Sequence, residues 1–166
     1  MTDERMGDRL FAAIRRLPRG SGVVFRHDHL PPVSRERLAR KVARACRRRS
    51  LVLAVARDVG LARRVGAELV HQPTSTVGLM PVSRSVHDES EAKAARRYGA
   101  VVVFVSPVFP TRSHPDRVAL GIAEAARLAR LSGGFAVALG GMDQRRFAAI
   151  RTHGFDGYAG IDCWLE

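Results

Sequence analysis

VVVFVSPVFPTRSH (101–114) and FAVALGGM (135–142) decide how this chain folds. Val101–Val105 is an apolar, mostly β-branched run that empties into Ser106–His114, a loop of hydroxyls and prolines. Phe135–Leu139 is a second such run, ending at Gly140-Gly141-Met142. Between them, Ala119–Leu131 has helical spacing and stops at Gly133-Gly134. Strand, loop, helix, strand is the order of a parallel β/α unit, whose chemistry gathers in the loops at strand C-termini. Those two loops also have the character of phosphate sites: one has hydroxyls, the other glycines with bare backbone N–H groups at a helix start.

Working outward, the alternation continues in both directions. Upstream, the pattern predicts a helix over Asp8–Leu17, stopped by Pro18 and Gly20, and a strand over Gly22–Arg26. A helix capped by Ser34 runs to Arg47, and Leu51–Val55 forms a strand. Val59–Val65 reads as a short helix, Glu68–His71 and Val82–Ser85 as strands, and a helix runs from Asp88 or Glu89 to Arg97. Pro73–Met80 has no strong signal. Downstream, Met142-Asp143 opens a helix to Thr152, and Gly157–Ile161 is the last strand. Seven strands with helical crossovers imply an open doubly wound sheet or a trimmed barrel, since a closed β/α barrel wants eight. No linker or low-complexity segment divides residues 1–166, so one domain is expected.

At 46% hydrophobic and 27% charged residues the chain has a globular composition. No run approaches the roughly 20 apolar residues of a membrane helix, and MTDERMGDRL lacks the apolar core of a secretory signal. The two cysteines, Cys46 and Cys163, have neither metal-site nor disulfide spacing, so a reducing cytoplasm is the expected location. The net charge of +12 is nearly all arginine, with Lys41 and Lys93 the only lysines. Arginines are spread over every helical segment without interleaved aromatics, which reads as a solvated surface and not a nucleic-acid face.

SRSVHDESEAKAARRYGAVVVFVSPVFPTRSH, then ALGGM, then GFDGYAGID, resembles the thiamine phosphate synthase/TenI family in the same order and spacing. Upstream, GVVFRHDH and the stretch through Leu61-Ala62 and Gly66-Ala67 to His71 resemble earlier strand units of that family. The resemblance implies a (β/α)8 barrel, here pared down: Thr2-Asp3 matches the end of the family's first strand, and a helix is missing between His71 and Val82. It implies thiamine biosynthesis. Synthases of the family join a pyrimidine diphosphate to a thiazole phosphate, and TenI-type members isomerise the thiazole carboxylate phosphate. Because TenI-type proteins commonly dimerise, the resemblance also raises a homodimer.

Site residues follow motif by motif. Gly140-Gly141 and Gly160-Ile161 match the two loops that hold the thiazole phosphate, although the first pair also reads simply as a tight turn. Thr111 and Ser113 match substrate-contacting hydroxyls of a PxxT-x-[ST]-K loop whose lysine is His114 here. A histidine of ordinary pKa about 6.5 would bind anions less well as pH rises, unless Arg112 substitutes. Ser85 and His87 occupy the family's S-x-H, in which the histidine is the proposed acid/base. Alternate residues at a strand end face one side, and proton transfer needs a group titrating near neutral pH; the plainer reading is that they cap the next helix. Arg26 matches the arginine of an R-E-K motif whose lysine is Asp28.

The family's Mg²⁺ is held by aspartates, a set of hard oxygen donors. Here the N-D pair aligns with Ala56-Arg57, only Asp58 is adjacent, and QPTSTVG after His71 has no carboxylate. Mg²⁺ is therefore expected only in weakened form, and a synthase-like protein with a degraded metal-dependent step is the first expectation. A metal-free tautomerase using His87 and a non-catalytic phosphate-binding barrel are the alternatives. In each case the ligand is a small phosphorylated thiazole-type ring, with neither nucleic acid nor membrane as partner.

Overall fold

The computed structural model describes residues 1–111 and 117–164. The chain divides into two compact units: Met1–Pro81 with the chain end from Trp164, and Val82–Cys163.

In the first unit a 3-10 segment, Glu4–Arg9, leads into α1 (Leu10–Arg16). Then β1 (Gly22–Phe25), α2 (Pro32–Arg49), β2 (Val52–Ala56), α3 (Val59–Val65) and β3 (Leu69–His71) alternate. The strands are parallel, with Phe25 opposite Val55 and Ala56 opposite His71. Phe25, Val42, Leu53, Val55, Leu61 and Val70 are fully buried. Ser34 does not cap α2: the helix starts at Pro32, so Ser34 falls inside its first turn. A proline at the first helical position loses nothing by lacking an N–H, and its fixed φ starts the helix early. Asp58 caps α3 by accepting from the Leu61 N–H at 2.8 Å, and Gly66 ends that helix at φ 66°.

Thr2 sets one rung beside β1. Its N–H donates to the Val24 carbonyl at 2.8 Å, and its hydroxyl accepts from the Arg26 N–H at 3.0 Å. This is where the resemblance placed the end of a preceding strand.

The second unit repeats the pattern: β4 (Val82–Val86), α4 (Glu89–Arg97), β5 (Val102–Val105), α5 (Gly121–Ser132), β6 (Phe135–Ala138), α6 (Gln144–Ile150) and β7 (Gly157–Tyr158). All four strands are parallel, with Val86, Val105 and Ala138 in one row. Small residues on the helices, Ala92 and Ala95 on α4 and Ala125, Ala126 and Ala129 on α5, join Val103, Val105, Leu128 and Ile150 in a single buried cluster. The last strand stops at Tyr158, three residues short of the predicted Ile161. Among the described residues its ladder partner is β6, and the chain then folds into a 3-10 turn at Asp162–Trp164. A side-chain carbon at Gly160 would lie 2.5 Å from Cys163 Sγ, so a larger residue here would make that thiol turn away. Helix α6 ends at Ile150, two residues before the predicted Thr152, and passes into a 3-10 turn, Arg151–His153.

One device recurs at the N-terminal strand ends of both units. In the first, the Leu53 N–H donates to Glu68 Oε2 at 2.8 Å while the Glu68 N–H returns to the Leu53 carbonyl at 2.9 Å. In the second, Ala136 and Asp156 make the same exchange at 2.7 and 2.8 Å. Among the described residues, no helix is long and apolar enough to cross a membrane.

Candidate functional site

The loops after β4 to β7 lie side by side because their strands share one register. Ser106 donates its N–H to Val86, Leu139 to Val105, and Ala159 to Ala138, at 2.9 to 3.0 Å, which extends the ladder one residue past each strand. His87, Ser106, Leu139 and Ala159 therefore begin four adjacent loops. Neighbouring strands are about 4.8 Å apart, so His87 and the Gly140 loop, two strands away, stand roughly 10 Å apart.

The glycine loop is built against the loop that follows β5. Val108 and Phe109 donate their N–H groups to the Leu139 and Gly140 carbonyls at 2.8 and 3.1 Å. A side-chain carbon at Gly140 (φ 90°) would lie 2.6 Å from Pro107 Cα, and one at Gly141 (φ 62°) would lie 2.5 Å from the Pro110 carbonyl. Close packing alone thus demands glycine at both positions, as the tight-turn reading supposed. The same conformation leaves the Gly140 and Gly141 N–H groups without a protein acceptor among the described residues.

Arg146 escaped the sequence reading, which placed it on a generic basic surface. Its backbone N–H donates to Asp143 Oδ1, the cap of α6, at 2.8 Å, and its guanidinium donates to the Gly141 carbonyl. The same guanidinium lies over the Phe109 ring, 5.2 Å from its centre. A permanent cation therefore stands at the glycine loop. The available signal was its spacing, one helical turn past a capping aspartate that follows Gly-Gly.

Ser85 is half-buried in β4, opposite Phe104. His87 is half-buried one residue past the strand, its ring Nδ1 2.8 Å from Glu91 Oε2, which leaves Nε2 as the nitrogen Glu91 does not engage. Asp88, not Ser85 or His87, caps α4, accepting from the Glu91 N–H at 2.9 Å. Thr111 ends the described part of the β5 loop; Ser113 and His114, with Arg112, lie outside the described residues. Gly160 and Ile161 sit in the link between β7 and the final 3-10 turn, not on the strand.

The C-terminal strand ends of the first unit are differently furnished. Arg26 follows β1 half-buried, and its carbonyl accepts from Arg35 Nε at 3.3 Å and from an Arg35 terminal nitrogen at 3.2 Å. Arg35 also donates to the Ala56 carbonyl at 2.8 Å and to Asp28 Oδ1 at 2.7 Å, and lies 3.7 Å from Asp58 Oδ2. Arg57 stands 3.5 Å from the other Asp28 oxygen. His27, Arg57 and Gln72, just past β1, β2 and β3, hold φ of 45°, 67° and 49°. Non-glycine residues rarely adopt that conformation, and it costs each about 1 kcal/mol. His27 is buried, stacked on Phe25 at 5.0 Å, with Nδ1 3.1 Å from the Thr2 hydroxyl. Burial first, and the neighbouring His29 charge second, push its imidazole below the ordinary histidine value.

These residues do not fit a hard divalent cation. Asp28 is paired with two guanidiniums, and Asp58 uses one oxygen as a helix cap while the other faces Arg35. Among the described residues no group of three or more His, Cys, Asp or Glu is placed to hold a metal ion. An Mg²⁺ ion here would have to displace arginine charge before gaining its carboxylates.

The family model of thiamine monophosphate synthase matches residues 1–163. A thiamine-phosphate synthase of Listeria monocytogenes is 32% identical over 141 residues, covering 76% of this chain and 65% of that protein. A thiamine biosynthesis bifunctional protein of Symbiobacterium thermophilum is 31% identical over 160 residues, covering 86% of this chain and 32% of that one. The matched part of the chain thus spans about two thirds or less of these relatives' lengths. Among solved structures, a thiamine phosphate pyrophosphorylase from Pyrococcus furiosus superposes with a TM-score of 0.82 at 21% identity, over 96% of this chain and 82% of that one. That likeness gives the fold class: an α/β chain of the (β/α)8 barrel type, trimmed.

Proposed function

The chain belongs to the thiamine monophosphate synthase family, and from that premise we propose that residues 1–166 work as one thiamine phosphate synthase-like domain binding a thiazole phosphate. The observation that supports this most is the glycine loop. It offers the N–H groups of Gly140 and Gly141, which have no acceptor among the described residues, beside the Arg146 guanidinium, two strands from His87. Backbone N–H groups plus a fixed cation suit a phosphate monoester. Gly160 and Ile161 follow β7 and join this set, as do Ser85 and Thr111; Ser113 and His114 join it by their motif positions, outside the described residues. Arg26 belongs to the rim of the first unit.

One observation favours a second reading, a metal-free proton transfer at His87. The carboxylates nearest the family's metal position are neutralised by Arg35 and Arg57, while His87 has a fixed imidazole. Without the cation, a departing diphosphate lacks its main charge stabilisation. Ring tautomerisation has no such requirement, because one group removes and returns the proton.

Calorimetric titration with thiazole carboxylate phosphate, with and without Mg²⁺ and the pyrimidine diphosphate, tests both. Binding that ignores Mg²⁺, with loss of a ring C–H in deuterated water, supports the second reading. Formation of the coupled product only with Mg²⁺ supports the first. No binding under any of these conditions sinks the thiazole-phosphate proposal.

A further inference from the structure

By sequence the arginines form one evenly solvated surface; the structure sorts them into two groups, and helix α2 shows the division. Between Pro32 and Arg49 this helix has eight basic residues and one acidic residue, Glu36. Four of the eight are engaged within the protein. Arg35 ties the strand ends described above, and Arg40 pairs with Glu36 at 2.6 Å. Arg47 donates to the Val65 carbonyl at 3.1 Å, and Arg49 to the Leu17 carbonyl at 3.0 Å. The other four, Arg37, Lys41, Arg44 and Arg48, are exposed and have no hydrogen-bond or ion-pair partner among the described residues.

Those four form a stripe. At 3.6 residues per turn they fall within about 60° of one another, over a length of about 16 Å. The stripe lies on the side opposite the buried Ala39, Val42, Ala43 and Cys46. Like charges stand three or four residues apart along it, an arrangement that opposes the helix. Helices α4 and α5 show the alternative: Glu89 pairs with Lys93 at 2.7 Å, and Glu89 and Glu124 both hold Arg127 at 2.8 Å. Among the described residues nothing in the fold uses the α2 stripe.

We propose that the exposed face of α2 is a docking surface for the phosphate backbone of double-stranded nucleic acid. Charge complementarity sets the partner's chemistry. Four cations in a line about 16 Å long meet a duplex with one negative charge per about 1.7 Å of axis. Three of the four are guanidiniums, whose fork of N–H groups matches phosphate oxygens in pairs. The helix has no aromatic ring on which an unpaired base could stack, so a duplex is favoured over a single strand. It has no Asn or Gln to read adenine edges, and the contact is with backbone, independent of sequence. A membrane surface would need an apolar border to sink among lipid headgroups, whereas Val33 is the single large apolar side chain well exposed on this helix.

The experiment is fluorescence anisotropy of a labelled DNA duplex of about 20 base pairs, titrated with the full chain between about 50 and 200 mM salt. Four phosphate contacts give a slope of about −3.6 in log K against log salt, so affinity should fall about 150-fold over that range. The combined variant Arg37→Gln, Lys41→Gln, Arg44→Gln, Arg48→Gln keeps helix propensity and should lose most of that slope. Each single change should lower the slope by about 0.9, equally on duplexes of different sequence. The control removes the same charge from exposed Arg96, Arg97, Arg130 and Arg151, all to Gln, and should keep affinity within about threefold. Relief of like-charge repulsion should leave the combined stripe variant folded at no lower urea concentration than the original. If that variant fails to fold, the single variants decide, and unchanged slopes in all four overturn the proposal. Equal losses in the stripe and control variants also overturn it, because net charge alone would then explain binding. So does absence of duplex binding at about 50 mM salt. Tighter binding of the stripe to polyglutamate or to phosphatidylserine vesicles than to the duplex overturns it in favour of an acidic protein or a membrane surface.

Discussion

The two units make the same strand-helix alternation and end their strands in opposite ways. After β1 and β2 the chain is locked: Arg35 ties the carbonyls of Arg26 and Ala56 to Asp28, and three non-glycine residues are held at positive φ. After β4 and β6 it is open: His87 presents one ring nitrogen, and Gly140-Gly141 present backbone N–H groups. Charge follows the same division, since 17 of the 28 basic residues but only 7 of the 16 acidic ones precede Val82. Equal scaffolds therefore do not imply equal sites. A β/α unit fixes where loops emerge, while a few side chains decide whether the rim there is filled from within or left for a ligand.

If that contrast is right, damage to the open rim should change binding and stability together, and damage to the locked rim should change stability alone. The largest effect is expected at Gly140→Ala. The added carbon must push against Pro107 and strain a φ of 90°, for about 3 kcal/mol lost in urea unfolding and loss of phosphate binding by calorimetry. Unchanged binding would break the comparison on the open side. Next comes Arg35→Met, which leaves the Arg26 and Ala56 carbonyls without this donor and Asp28 without its nearest cation. Unfolding should be easier by about 2 kcal/mol, with thiazole phosphate affinity within threefold of the original. A large loss of affinity would show that the lock is itself part of the ligand site.

Capping should be neutral between the units. Asp58→Ala and Asp143→Ala each remove one side-chain acceptor at a helix start, and each should cost about 1 kcal/mol in the same unfolding assay. A much larger cost for Asp58 would mean its contact with Arg35 counts for more than a cap. The smallest effect concerns His27, whose folded value lies below its unfolded one. The unfolded chain therefore binds the proton more tightly. Stability from this group is complete above about pH 6.5 and is lost as pH falls through that value towards the folded one. His27→Asn tolerates positive φ and removes the titration, so its urea midpoint should fall less than the original's between pH 8 and pH 5. The difference should be under about 1 kcal/mol.

Much of this fold could be read from the chain alone, because the alternation of β-branched runs with helical spacing is a local property. Val59–Val65 was read to the residue and the helix at Asp88 to within one, since each has an aspartate at its start and Gly66 or Tyr98-Gly99 at its end. Misreadings fell where a local rule met a stronger one. Ser34 is a good cap in isolation but lost to Pro32, and the last strand is cut short where its pairing with β6, its one ladder partner among the described residues, ends. The site was legible as motif positions: His87 beside a strand end, and Gly140-Gly141 before a helix. Its orientation was not. Which nitrogen of His87 is engaged, why both glycines are obligatory, and that Arg146 turns onto the Gly141 carbonyl all depend on segments distant in sequence or on side-chain directions. Sequence by itself determined the alternation, the family and the absence of a carboxylate from the QPTSTVG stretch that follows His71. Only tertiary structure decided that Asp28 and Asp58 are held by Arg35, because an ion pair is a matter of distance, and distance is set by the register of strands the chain pairs after folding.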